Sequence, residues 1–237
     1  MVYAVGGERR LLADTSDCNY PPAAATKPHL GKFGVVNAEH LLTLHPDLIL
    51  ATSDMAPKLA SLKLLPCPVL ALRTPTMASI ETAVMTVGTL LHTLPAANAW
   101  QAQWRQRMRA VQHDRLPRPL RVFFVLWPEP LMTVSDNSFI GDLIRQAGGT
   151  NLAGTVPNPY PLFSWESLMS GSPDWVVYTA SLGKAGLGVG RWPQLTAVRL
   201  GRTLELARDF VERPGPRSLL ALETLHRALA AGKPTRP

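Results

Sequence analysis

The stretch "LLTLHPDLILAT" at residues 41–52 is answered by "SLMSGSPDWVVYTA" at residues 167–180. Glu39 and Glu166, Leu41 and Leu168, Pro46 and Pro173, and Asp47 and Asp174 all stand at a constant offset of 127 residues (Glu166 against Glu39). Each copy reads as a helix stopped by proline, then an aspartate, then an apolar strand. One such corner is common in α/β proteins. Two copies, one on each side of a long helical stretch, predict two lobes built on the same plan.

Working outward from the first copy, Asn37 is placed to cap the helix "AEHLLTL", with Leu41, Leu42 and Leu44 inward. The continuous apolar run "DLILA" predicts a parallel strand covered on both faces. A helix over residues 56–65, ended by Pro66 and Pro68, and the strand "VLAL" complete a βαβ alternation. Upstream, residues 11–15 read as a short strand, followed by the turn-rich loop "SDCNYPPAAATKPHLGKFG". From Ser79 the stripe Ile80, Val84, Val87, Leu91, Leu94 predicts a helix that Pro95 interrupts, with a second helical stretch at 96–112. A second βα series then runs through "LRVFFVLW", "SFIGDLIRQAGG" with a glycine C-cap, "SWESLMS" and "DWVVYTA". "GRTLELA" is an edge-strand candidate, "GPRSLLALETLHRALAAG" a closing amphipathic helix, and "KPTRP" a frayed tail.

The expected fold is α/β: two Rossmann-like lobes with parallel sheets joined by one long α-helix, and a ligand cleft between the lobes. The N-terminal lobe takes residues 1–94, the backbone helix 95–117 and the C-terminal lobe 118–237. Ligands of open parallel sheets bind outside the carboxyl ends of the strands. The loops after Thr15, Ala51, Leu72, Leu126 and Tyr178 are therefore expected to line the cleft.

Composition narrows the class. The 237 residues are 46% hydrophobic and 17% charged, as in a folded globular chain, and the 22 prolines read as punctuation. No apolar run approaches the roughly 20 residues of a membrane helix, so a soluble chain is expected. The N-terminus "MVYAVGGERRLLADT" shows no basic leader with an apolar core, hence no secretory signal in the chain as given. A net charge of +7 could suit nucleic acid, but the basic residues are scattered apart from "RQRMRAVQHDRLPRPLR", read as a solvated helix face rather than a phosphate site. No nucleic-acid partner is expected. Cys18 and Cys67 follow and precede strands at opposite sheet edges, which predicts two free, partly buried thiols.

The pieces "SDCNYPPAA", "LHPDLILAT", "VLWPEPLMTVSDNSFIGDLIRQAGGTNLAG", "SWESLMSGSPDWVVYTA" and "RPGPR" together resemble the substrate-binding proteins that serve ABC importers of cobalamin and iron siderophores. The likeness covers almost the whole chain, and the YPP loop and "WPEPLMT" lean toward the cobalamin-binding branch. It implies a periplasmic monomer whose ligand is a corrinoid, or alternatively an iron siderophore or haem, handed to a membrane permease. A stand-alone binder is a further alternative.

A flat, amphipathic ligand needs aromatic walls and a few polar rim groups. Tyr20, Phe33, Trp127, Tyr160, Phe163 and Trp165 fall in or beside loops at the expected strand ends, with Pro21, Pro22, Pro128 and Pro130 stiffening them. Each aromatic alone is equally a core residue, and Trp127 is the least ambiguous because it ends a buried strand. Asp54 and Arg213 are rim candidates, or ordinary surface charges.

Two departures from the family stand out. Its members open with a strand and a complete first helix, whereas residues 1–5 here read as the tail of that helix, so the chain is expected to start late. Its lobes usually each offer a permease-docking glutamate, but "SDMAPKLASL" and "SLGKAGLGVGRWPQL" carry Lys58, Lys184 and Arg191 instead. Docking is therefore expected to differ. An enzyme is disfavoured: no GxSxG elbow is present, no histidine pairs with a candidate serine, and "GKAGLGVGR" lacks phosphate-loop order. Of the six histidines only His29 lies in a cleft-side loop, too few for a metal site. No cofactor is expected.

Overall fold

A computed structural model describes residues 1–60, 67–180 and 182–232. The far end of the helix expected at 56–65 and the tail at 233–237 lie outside the described residues, as does the side chain of Lys184. The fold is α/β with parallel sheets. The chain divides into two compact units, one formed by Met1–Arg73 with Glu81–Gln101 and the other by Thr74–Ile80 with Ala102–Pro237.

The first unit holds the hairpin β1 (Gly31–Lys32) and β2 (Val35–Val36), helix α1 (Ala38–Thr43), strand β3 (Ile49–Thr52), helix α2 (Ala56–Ala60) and strand β4 (Val69–Leu72). Strands β3 and β4 pair in parallel, Ile49 against Val69 through Thr52 against Leu72. The Asn37 side chain accepts the His40 N–H, capping α1 as its position demands. Pro46 follows the helix end, where His45 adopts φ 46°. The covered-strand expectation for "DLILA" is corrected: Ile49, Leu50 and Ala51 are half-buried, because β4 is the one strand paired with β3 among the described residues. The strand expected at 11–15 is likewise corrected to one parallel bridge, Asp14 to His29. Pro28 beside it has no N–H to extend a ladder. Cys18 and Cys67 are free, but Cys18 is exposed rather than partly buried.

Helices α3 (Met77–Leu90) and α4 (Leu94–His113) follow. The break falls at residues 91–93, with His92 at φ 52°, and Pro95 lies in the first turn of α4 instead of interrupting a helix. A proline in a first turn loses no intrahelical hydrogen bond. Ile80, Val84 and Val87 are fully buried while Leu94 is exposed. A Cβ at Gly88 would collide with the Ala97 side chain, so only glycine permits this close approach of α3 and α4.

The second unit is built on β5 (Leu120–Val125), the short pair β6 (Trp127–Pro128) and β7 (Leu131–Met132), helix α5 (Phe139–Gln146), β8 (Gly149–Asn151), helix α6 (Trp165–Gly171) and β9 (Trp175–Tyr178). Helix α7 (Gly183–Gly186), α8 (Thr196–Arg199), β10 (Thr203–Glu205), α9 (Arg208–Val211) and α10 (Ser218–Ala231) complete it. Its sheet runs β10-β9-β5-β8, all parallel, with Phe123, Val125, Val176 and Tyr178 in one core cluster with Leu168 and Trp192. The three-residue β8 carries no apolar periodicity. It exists because β5 pairs with it, and a Cβ at Gly149 would press on Val122 and Ile144.

The repeated corner takes the same form in both units. Ser164, the counterpart of Asn37, caps α6 by accepting the Ser167 N–H at 3.0 Å, and Pro173 and Asp174 lead into β9. Asp174 then ties β9 to β5: its carboxylate accepts the Arg121 backbone N–H at 2.8 Å and both Arg118 Nη atoms at 3.0 and 3.3 Å. Burial pushes this carboxyl up, but the Arg118 and Arg121 contacts outweigh it and hold it below the usual value. A lowered folded value means stability that is present above about pH 4 and lost as pH falls through the folded value. Thermal melts between pH 7 and pH 2.5 should therefore lose midpoint most steeply below pH 4. Asp174→Asn should lie lower at pH 7 and show a shallower acid decline; equal slopes would remove Asp174 as a source of acid sensitivity.

Candidate functional site

In the second unit the chain leaves β5 toward β8 on one side, while β9 lies on the other side of β5. In open parallel sheets such a reversal marks the carboxyl ends of the two strands, here β5 and β9, as the place where ligands bind. Trp127 lies two residues past the carboxyl end of β5. The strand was expected to run through Trp127 but ends at Val125; Leu126 N–H turns to the Met132 carbonyl at 3.0 Å, and β6 pairs antiparallel with β7. Pro128 has no N–H with which to extend the β5 ladder. Trp127 is 51% exposed, and its indole N–H donates to the Glu129 carbonyl at 2.9 Å, fixing the ring's orientation.

The segment around Tyr160 joins the same surface. Thr133 and Ser135 N–H donate to the Pro161 and Pro159 carbonyls at 3.1 and 3.0 Å, and Phe163 N–H donates to the Leu131 carbonyl at 2.9 Å. β7 is thus flanked by β6 on one side and by residues 159–163 on the other. This brings Trp127, Tyr160 (47% exposed) and Leu162 (67% exposed) onto one loop platform. Leu162 was not among the expected site residues; its alternation with Tyr160 in "PYPLF" is the signal that could have found it. Pro128 is half-buried in β6.

Phe163 and Trp165 take a different position. Phe163 is half-buried with its ring centroid 5.3 Å from that of Phe123, and Trp165 meets Trp192 edge-on at 4.7 Å. Both pack on the core cluster behind the platform. The loop itself is anchored by Gly141, where any Cβ would collide with the Ser135 carbonyl, and by the buried Asn151 side chain, which donates to the Val134 carbonyl. Arg213 is exposed and lies 3.5 Å from Asp209, which Arg217 approaches at 3.6 Å.

In the first unit Tyr20 and Phe33 are 58% and 56% exposed. Pro21 begins the turn that becomes a 3-10 segment at Pro22–Thr26. The loop bearing Tyr20 and the hairpin bearing Phe33 are laced together: Ser16 N–H donates to the Gly31 carbonyl at 2.9 Å, and Phe33 N–H to an Asp17 carboxylate oxygen at 2.6 Å. Beside the hairpin lies an open recess of about 440 Å³ lined by Leu30, Val35, Val36 and Asn37. Asp54 lies two residues past the end of β3 and is exposed. The Thr52 side-chain hydrogen bond, with help from backbone N–H groups and Lys58, holds its carboxyl below the usual value. It stays an anionic acceptor at neutral pH.

Among the described residues, no group of three or more His, Cys, Asp or Glu side chains is placed to hold a metal ion. No described helix is long and apolar enough to cross a membrane. Each unit thus exposes aromatic faces with polar groups nearby, Tyr20 and Phe33 in the first and Trp127 and Tyr160 in the second.

The sequence profile of the family described as periplasmic binding protein matches residues 1–221. The vitamin B12-binding protein of Pectobacterium atrosepticum is 27% identical over 239 residues, which cover 97% of this chain and 84% of that protein. The crystal structure of the periplasmic vitamin B12 binding protein of Vibrio cholerae matches with a TM-score of 0.84 at 25% identity, over 98% of this chain and 92% of that one. The periplasmic heme-binding protein BhuT, solved in complex with two hemes, matches with a TM-score of 0.85 at 27% identity, over 98% and 94%.

Proposed function

The chain belongs to the periplasmic binding protein family, and from that premise we propose that its ligand is cobalamin or a related corrinoid, held between two lobes and passed to a membrane permease. It is a binding protein of the ABC-importer class and not an enzyme. In the proposed complex Tyr20, Pro21 and Phe33 offer one wall and Trp127, Pro128 and Tyr160 the other. Asp54 and Arg213 act at the rim, Phe163 and Trp165 support the second wall from behind, and α4, which ends at His113 rather than running on to residue 117, serves as the backbone helix between lobes. The protein works as a periplasmic monomer. Lys58 and Arg191 stand where a glutamate is usual in the family, so its permease carries a matching surface of different charge.

The observation that carries this reading is the exposed, hydrogen-bond-fixed indole of Trp127 just past the carboxyl end of β5. An indole held in place before the ligand arrives contributes contact area at little ordering cost. The likeness to the vitamin B12-binding proteins over nearly the whole chain supports the corrinoid as ligand. Titration with cyanocobalamin should quench tryptophan fluorescence with micromolar affinity, about −8 kcal/mol. A protein that ignores corrinoids in both fluorescence and calorimetry but responds to a ferric siderophore would falsify the assignment.

Haem is the second reading, favoured by the match to the heme-binding protein at similar identity and TM-score. The two separate optically. Bound haem gives a shifted Soret band on addition of hemin, and competition between hemin and cyanocobalamin ranks them directly.

A further inference from the structure

Two buried side-chain polar atoms have no hydrogen-bond partner among the described residues: the Tyr3 hydroxyl and Asp14 Oδ2. They belong to one neighbourhood in the first unit, since the Asp14 charge acts on the Tyr3 phenol. The Asp14 side chain is 8% exposed, and its other oxygen, Oδ1, lies 2.7 Å from His29 Nδ1. The remaining groups that face it are Lys27, whose ammonium donates to the Glu8 carbonyl at 2.9 Å, and Tyr3. Burial pushes the Asp14 carboxyl up, and the His29 hydrogen bond and the Lys27 charge oppose it. A buried carboxylate with one orphaned oxygen is costly, so its bond to His29 supplies much of what keeps it in place.

The position of this pair gives it a use. Asp14 N–H donates to the Pro28 carbonyl at 3.0 Å and Leu30 N–H to the Asp14 carbonyl at 2.8 Å, so the side-chain bond sits inside a short backbone ladder. Past Asp14 the chain enters the loop of Tyr20; past His29 it enters the hairpin of Phe33. Ser16 and Asp17 lace the two together at Gly31 and Phe33. We propose that Asp14 and His29 are a positioning pair that clamps the two ligand-facing segments of the first unit and so sets Tyr20 and Phe33 for the ligand. This rests on the function proposed above. It assigns to the cleft-side histidine a role in recognition that needs no metal.

The test uses the full chain with His29→Leu, which removes the donor, and His29→Asn, which keeps an N–H near the place of Nδ1. Amide hydrogen exchange at Ser16, Leu30 and Phe33 is read beside the cyanocobalamin affinity. In His29→Leu, exchange at those amides should rise and affinity should fall, each about tenfold, the scale of a hydrogen bond to a charged group. In His29→Asn both should stay within about threefold of the unsubstituted protein. Should His29→Leu not fold, the paired Asp14→Leu, His29→Leu removes the charge with its partner and should fold with the same losses. Unchanged exchange at the three amides, a rise spread evenly over the unit, or failure of asparagine to rescue would overturn the proposal. If the unsubstituted protein binds no corrinoid, the ligand assignment fails, and the exchange pattern alone decides the pair.

Discussion

Replacing Trp127 with alanine is expected to weaken cyanocobalamin binding about thirtyfold, near 2 kcal/mol, while the melting temperature stays within about two degrees. The two halves of this expectation have separate causes. Tryptophans at binding surfaces supply large rigid contact area, and their loss shows mainly as faster dissociation. The fold loses little because the ring is 51% exposed and its indole hydrogen bond closes only a local turn to Glu129. Trp127→Phe should lie between, retaining a flat face but not the indole N–H. Affinity can be followed on the five remaining tryptophans, Trp100, Trp104, Trp165, Trp175 and Trp192. An unchanged Kd for Trp127→Ala would remove the platform from the site.

The opposite pattern is expected for Phe123→Ala, which should cost about 4 kcal/mol, a large share of the roughly 5–15 kcal/mol that holds an ordinary domain folded. Phe123 is fully buried on the central strand β5, and its ring meets Phe163. Truncation leaves a cavity beneath the segment that carries Tyr160 and Leu162, since Phe163 N–H is paired with the Leu131 carbonyl. Urea unfolding should show the midpoint falling with little change in slope. Binding should weaken only in proportion to the unfolded fraction. A loss below about 1 kcal/mol would mean that neighbouring side chains collapse into the gap.

The features legible in the chain were those written by local chemistry. Asn37 and Ser164 cap their helices as their residue types predict, and the proline–aspartate corners appear in both units. The apolar run at residues 175–178 is a fully buried strand. Less legible was whatever depends on a partner distant in sequence. β8 has too few residues for any period and forms because β5 offers a parallel edge. The strand expected at residues 11–15 had the right composition, yet only the Asp14 bridge forms. Pro95 was read by residue type alone, and its effect depended on where the helix began.

The candidate site divides in the same way. Tyr20, Phe33, Trp127 and Tyr160 stood out as aromatics among prolines in loops after strands, and all four are about half exposed or more. Phe163 and Trp165 carried the same signal but pack on Phe123 and Trp192. No local rule distinguishes the two groups, because an aromatic ring is equally suited to a core and to a ligand. The Asp14–His29 pair was invisible for a related reason: 15 residues separate its members, and only the bridge makes them neighbours.

By itself the sequence determined the α/β class, the repeated helix-to-strand corner, the helix caps and the membership of a family of binding proteins. These follow from backbone preferences and apolar periodicity, which act over a few residues at a time. Only the tertiary structure decided that β9 is sealed on both faces while its counterpart β3 is half-open. It also decided that the β5 ladder stops before Trp127 and that Asp14 meets His29. Burial and pairing are properties of what arrives from elsewhere in the chain. The same phrase, written twice, therefore makes a sealed core strand in one unit and a half-covered one in the other.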